Sequence, residues 1–199
     1  MMDFSHKACN LDISTMCALE CPKCMRAHWS DKKDIPGKTM TVNQFEKILS
    51  YFRRISFCGQ ISDPIFNPNL ITFLSMCKDA GKRSIVHTSA SQRSMSWYEN
   101  AFDANITTKW IFGVDGLPNE SHLYRINQDG EKLFEVMKMG VKKGLKIDWQ
   151  YIVFRYNENH IDEAYEMAQE HGINFIINYS GRWKNDEDPF KPRNPEFSA

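Results

Sequence analysis

The chain switches repeatedly between two kinds of hydrophobic period, and that alternation limits its possible folds more than any other feature. Runs rich in β-branched, aromatic and apolar residues recur as ACNLDIST (8–15), RISFCGQ (54–60), KRSIVHTSA (82–90), TTKWIFGVDG (107–116), KIDWQYIVFRY (146–156) and NFIINYSG (174–181). Stretches of helical period separate the later runs, at 41–54, 67–81, 94–102, 130–144 and 160–172. Thr41 or Asn43 is placed to cap the first of these helices and Asn67 or Asn69 the second, while Gly81, Gly144 and Gly172 stand where C′ glycines close a helix. Six strands alternating with helices over short connections imply parallel pairing through right-handed crossovers. The expected fold is therefore α/β, either an open doubly wound sheet or a curved, partly closed barrel two units short of the eightfold form.

A chain of 199 residues, 42% hydrophobic and 25% charged, can bury one sizeable core. We expect one domain over residues 1–182 and, at 183–199, a tail or extended wrapping segment rich in proline and mixed charge. Lysine plus arginine and aspartate plus glutamate both number 25, so no global charge argues for nucleic acid or an anionic membrane. The start, MMDFSHKACNLDIST, lacks the apolar run of a leader, and no stretch approaches the roughly 20 apolar residues that cross a bilayer. The expectation is a soluble, cytoplasmic protein.

Three of the six cysteines crowd into Cys17-Ala18-Leu19-Glu20-Cys21-Pro22-Lys23-Cys24, directly after the first strand. A secreted disulfide framework spreads its pairs through a shorter chain, so metal or redox chemistry in a reducing compartment is the better reading. Three thiolates in one loop can hold three irons of a cubane cluster and leave the fourth open to a small molecule. Zinc is the alternative, and it needs a fourth ligand. Cys9 lies at the far end of the strand, roughly 20 Å away at ~3.3 Å per residue, which leaves His28. Cys58 has no companion at ligand spacing, and Cys77 falls on a helical stripe with Leu70, Phe73 and Leu74 as a small core residue.

The C-x3-C-x2-C spacing after a leading βα-repeat strand resembles the signature of the radical S-adenosylmethionine superfamily. Further segments at successive strand ends resemble that family's core. Phe57-Cys58-Gly59-Gln60-Ile61-Ser62-Asp63-Pro64 is similar to its Gly-Gly-Glu-Pro region, His87-Thr88-Ser89-Ala90-Ser91 to its Thr-Asn-Gly segment, and Gly113-Val114-Asp115-Gly116 to its Ser-Ile-Asp-Gly segment. The likeness covers about residues 8–182, and Lys23 and Ser89 depart from it where the family usually has an aromatic residue and an asparagine.

The resemblance implies a partial (β/α)6 parallel barrel and an oxygen-sensitive enzyme. Cys17, Cys21 and Cys24 would ligate a 4Fe-4S cluster, and the open iron would chelate S-adenosylmethionine. An electron from the reduced cluster would cleave the cofactor to methionine and a 5′-deoxyadenosyl radical, which abstracts hydrogen from a substrate. Gly59 and Asp63 are the expected contacts to the methionine part, Asp63 by accepting from the ammonium group, and Ser89 and Asp115 the expected contacts to ribose. Implied partners are an electron donor such as flavodoxin or ferredoxin and a small-molecule or peptide-like substrate. No cysteine follows Cys77, so the auxiliary-cluster extension of many relatives is not expected. Tyr124-Arg125, Arg155 and Arg182 are candidate binders of anionic groups. The rival reading is a zinc-stabilised, non-catalytic interaction module.

Overall fold

A computed structural model describes residues 7–29, 31 and 34–198; residues 1–6, part of the expected domain, lie outside the described residues. The strands are β1 (Ala8–Leu11), β2 (Arg54–Phe57), β3 (Arg83–Thr88), β4 (Lys109–Gly113), β5 (Lys146–Ile152) and β6 (Asn174–Asn178). The helices are α1 (Val42–Leu49), α2 (Leu70–Asp79), α3 (Met95–Ala104), α4 (Gly130–Lys142) and α5 (Ile161–Glu170). All neighbouring strands pair in parallel, in the spatial order β1-β2-β3-β4-β5-β6. A doubly wound sheet reverses its strand order at a switch point. This order never reverses, so right-handed crossovers put every helix on one face, and the sheet is a partial (β/α)6 barrel.

The local sequence explains the element boundaries. Thr41 closes a reciprocal capping box with Gln44 at the start of α1. Asn69, not Asn67, precedes α2, and the Asn67 amide instead donates to the carbonyls of Ile13 and Met40, holding the β1 exit beside β2. Gly81, Gly144 and Gly172 all follow helices with positive φ. Every strand ends two to four residues before its β-rich run does, because the chain leaves the sheet there to build loops at one end of the barrel.

The core lies between the sheet and the helices. Phe45 stacks on Phe73 at 4.3 Å with Phe57 beside them, and Trp110 lies edge-on to Phe102. Trp149 and Tyr151 are fully buried under the same layer, as are Leu70, Phe73, Leu74 and Cys77. Successive side chains on a strand point to opposite faces. With Val86, Trp110, Phe112, Trp149 and Tyr151 under the helices, their neighbours His87, Ile111, Gly113, Gln150 and Ile152 face the concave side. Deeper on that side, Lys109 pairs with Asp148 at 2.5 Å, so the floor carries no uncompensated charge from this pair.

Residues 183–198, expected as a tail or wrapping segment, run against the β5–α5 connection. Arg155 holds this segment through bonds to the carbonyls of Phe190 and Lys191, Glu158 accepts from the backbone of Arg193 and Asn194, and Phe190 packs on Tyr124 and Phe154. Arg155 thus anchors the chain's own backbone rather than an anionic ligand. No helix among the described residues is long and apolar enough to cross a membrane.

Candidate functional site

The loop after β1 carries Cys17, Cys21 and Cys24, and the fold grips it from three sides. The Asp63 amide donates to the Met16 carbonyl at 2.9 Å, Arg26 donates to the carbonyls of Thr15 and Ile61, and the amide of Glu20 and side chain of Asn127 tie it to the segment before α4. A turn from the Cys24 amide to the Cys21 carbonyl brings those two residues onto one short bend. All three cysteines are free and partly buried, and all three line one cavity of about 600 Å3 at the C-terminal end of the strands. Burial pushes the Cys17 thiol up to about 12 and the Cys21 thiol up to about 11, with Arg26 and Arg125 pulling them in the opposite direction. A metal centre must therefore displace these protons as it forms.

The donor set fits an iron–sulfur cluster: three thiols on separate parts of one loop wall a single cavity, with guanidinium groups beside them to offset thiolate charge. A lone zinc ion at ~2.3 Å from each sulfur would draw its ligands into one tight tetrahedron. Among the described residues no three His, Cys, Asp or Glu side chains are grouped ready to hold a metal ion of either kind, and His28, the fourth zinc ligand the sequence offered, is exposed and off the cavity wall. Of the other cysteines, Cys77 lies on the buried face of α2 and Cys9 packs against the core, whereas Cys58 lines the cavity.

The opposite wall contains Gly59, Asp63 and Ser89. The loop from Gly59 to Ser62 is folded so tightly that a Cβ at Gly59 would sit 1.6 Å from the Ser62 carbonyl oxygen, which only glycine permits. Asp12 shapes this loop, accepting from the amides of Gln60 and Ile61 and from the Ser62 hydroxyl. Asp63, expected to receive the ammonium group, has both oxygens engaged inside the protein. Oδ1 accepts from Ile65 N and the Thr88 hydroxyl, and Oδ2 from the amides of Ser89 and Ala90 at 2.9 and 3.0 Å. It fastens the β2 exit to the β3 exit, and burial still pushes its carboxyl upward against those donors.

Asp115 likewise finds its partners inside the protein. It is wholly buried and is not among the residues that line the cavity. Oδ1 accepts from Ile152 N at 2.9 Å, and Oδ2 lies 2.7 Å from Arg125 Nε in an ion pair that is not an aligned hydrogen bond. Burial pushes the Asp115 carboxyl up, and the Arg125 guanidinium beside it pulls it back. The cavity therefore meets Arg125, whose side chain is 12% exposed, where the sequence led us to expect the carboxylate. Gly113 makes room for this: a Cβ there would lie 2.4 Å from the Ser89 hydroxyl and 2.9 Å from Arg125 Nη2.

Other residues on the wall escaped the sequence reading. Gln150 and His87 face inward because their strand neighbours face the helices, and burial lowers the His87 imidazole below its ordinary range. Gln128 donates to the carbonyls of Ser89 and Gly113, clamping the ends of β3 and β4 together. Asp12 had a positional signal, since it follows a barrel strand, whereas nothing at the sequence level marks Gln128. A second cleft, of about 650 Å3, lies outside the barrel against α4 and α5; Glu131, Glu135 and Glu163 line it, with no cysteine or histidine.

No protein-family profile matches the chain, and no curated protein sequence does. Solved structures match closely in shape. Streptococcus suis SuiB bound to S-adenosylmethionine superposes at a TM-score of 0.75 and 16% identity, over 95% of this chain and 44% of that one. The structure of anSMEcpe with bound AdoMet gives 0.70 at 13% identity, over 94% and 54%. The structure of TYW1 with a lysine-pyruvate adduct bound gives 0.64 at 13%, over 92% and 68%. The fold is that of the radical S-adenosylmethionine enzymes. The chain spans less than half the length of SuiB, and at these identities the likeness carries the radical S-adenosylmethionine fold alone.

Proposed function

We propose that the chain is a radical S-adenosylmethionine enzyme, with a 4Fe-4S cluster on Cys17, Cys21 and Cys24 and S-adenosylmethionine in the cavity beside it. The observation that carries this reading is the convergence of all three loop cysteines, the Gly59 turn, Ser89 and Arg125 on one cavity at the C-terminal end of this barrel. Sites in parallel α/β barrels collect at that end. When bound, the cluster supplies the electron that opens the cofactor's sulfonium carbon–sulfur bond.

The chain's own residues bind and orient. Arg125 offers a guanidinium fork to the cofactor's carboxylate, and its buried partner Asp115 fixes it in place. The backbone around Gly59 would offer carbonyl acceptors to the ammonium group, since Asp63 has partners inside the protein, and Ser89, on the same cavity wall, is proposed to meet ribose. His87, Ile111, Gln150 and Ile152 are left to meet a substrate, a mixed polar and apolar surface suited to a peptide-like group. SuiB has been solved bound to precursor peptide SuiA, and anSMEcpe with bound AdoMet and Cp18Cys peptide, which supports the peptide-like reading. The electron donor is proposed to be a flavodoxin or ferredoxin.

Anaerobic iron–sulfide reconstitution followed by dithionite and S-adenosylmethionine tests the proposal. The expected result is a brown, reducible protein that forms 5′-deoxyadenosine. A reduced cluster that forms none above the background of the triple Cys17, Cys21 and Cys24 alanine variant would overturn the enzyme reading, and a colourless tetrahedral zinc centre would overturn the cluster.

A further inference from the structure

Lys23 and Asp188 connect two regions that the sequence keeps apart by 165 positions. Lys23 lies between Cys21 and Cys24, and Asp188 lies in the wrapping segment. Although the segment's composition is that of a solvated tail, Asp188 is only 3% exposed. Its Oδ2 accepts from Lys23 Nζ and from the Lys184 amide, and its Oδ1 from the Phe190 amide at 3.1 Å. Arg182 Nη1 also reaches the Lys23 carbonyl, at 3.5 Å. Residue 23 is thus approached through both its side chain and its backbone by the segment that follows β6.

The anchors of that segment are independent of the cysteine loop. Glu158 and Arg155 hold it to the β5–α5 connection, and Phe190 seats it on Tyr124 and Phe154. Burying an acid and an ammonium group is expensive in desolvation, and an apolar pair of the same size commonly does as well for stability. A buried pair joining a rigid frame to a cysteine-bearing turn has its clearest use in fixing that turn's position.

We propose that Asp188 is a positioning residue for the cysteine loop: acting through Lys23, it sets the Cys21–Cys24 turn so that these thiols and Cys17 meet one cluster. The wrapping segment is then part of the metal site. The metal part rests on the cluster proposed above; the positioning of the loop stands without it.

The test compares Asp188→Asn and Lys23→Met with the paired exchange Lys23→Asp/Asp188→Lys. Glu158→Gln serves as the control, loosening the same segment at an anchor remote from residue 23. In reconstituted protein, iron loss to a chelator should run about tenfold faster in both single variants, as is common when an outer partner of a metal ligand is removed. It should be slowed again by the exchange and unchanged in Glu158→Gln. Amide exchange over residues 17–29 of the metal-free proteins should rise in the two single variants only. Equal iron loss in Glu158→Gln and Asp188→Asn would overturn the proposal, because docking of the segment in general would then be the cause. Wild-type iron retention in Asp188→Asn would overturn it as well. If wild-type protein takes up no iron, the cluster reading fails by itself, and amide exchange decides the positioning: unchanged protection of 17–29 in Asp188→Asn refutes it.

Discussion

Replacing Asp115 with asparagine is expected to act on stability before it acts on any ligand. The carboxylate is wholly buried and offsets the charge of a guanidinium that is 12% exposed and 2.7 Å away. Two unit charges with centres about 4 Å apart interact by roughly 4 kcal/mol at the effective dielectric suited to protein sites, and removing one partner of a buried pair commonly costs about 3–5 kcal/mol. That is a large share of the roughly 5–15 kcal/mol holding a domain together, and at about 2–4 °C per kcal/mol for this chain length it lowers Tm by roughly 6–20 °C. Urea unfolding of reduced, metal-free protein measures the loss directly, as a fall in midpoint at unchanged slope. The variant Arg125→Met should be similarly damaged, because it leaves the carboxylate alone, while Asp115→Leu/Arg125→Met should recover most of the loss. A change below about 1 kcal/mol in Asp115→Asn, or a double variant as unstable as the sum of the singles, would refute the ion-pair account.

Alanine at Cys17, Cys21 or Cys24 should each abolish stable iron binding, whereas alanine at Cys9, Cys58 or Cys77 should leave iron per chain unchanged; a full cluster without Cys21 would remove the assignment. In metal-free protein the Cys21 thiol, raised from 9.0 to about 11, should carry about a hundredfold less thiolate than an ordinary cysteine at pH 8, and alkylate about tenfold more slowly once its greater intrinsic nucleophilicity is counted. The raised thiols also set a sign: stability they contribute is complete below about pH 9 and is lost as pH rises toward 11–12, so the alkaline fall in urea midpoint should be shallower in Cys17→Ala/Cys21→Ala. Asp63→Ala strands four donors, those of Ile65, Thr88, Ser89 and Ala90, and should cost about 3 kcal/mol or more at roughly 1–3 kcal/mol each; a loss under 1 kcal/mol would show that the loop re-forms without it.

The alternation of periods and the cysteine spacing were legible because each depends on residues near one another in sequence. Asp115 was legible as a residue at a barrel strand's end, but its direction was not, since the arginine that claims it comes ten residues later and after a turn. The internal partners of Asp63 were hidden for the same reason: two of its four donors are backbone amides at the next strand's exit, which no side-chain pattern reveals. On β5, Trp149 and Tyr151 alternate with Gln150 and Ile152, and a strand covered on both faces gives no polarity contrast to say which set points inward. Asp188 was hidden by its surroundings, a lone buried acid within a run whose average composition describes solvent-facing chain.

Because the barrel strands carry the hydrophobic layer and the cavity wall on alternate residues, fitness for folding and fitness for a substrate are written in alternate letters of the same short words. Drift at His87, Ile111, Gln150 or Ile152 alters what the chamber admits, while Val86, Trp110, Trp149 and Tyr151, one position away, continue to hold the helices on. A library varied at the first set and fixed at the second should yield mostly folded members with diverging ligand preferences. The same number of changes moved by one residue should yield mostly unfolded ones, since each large-to-small substitution in that layer removes about 2–5 kcal/mol. An architecture built this way can change what its cavity accepts without renegotiating its stability.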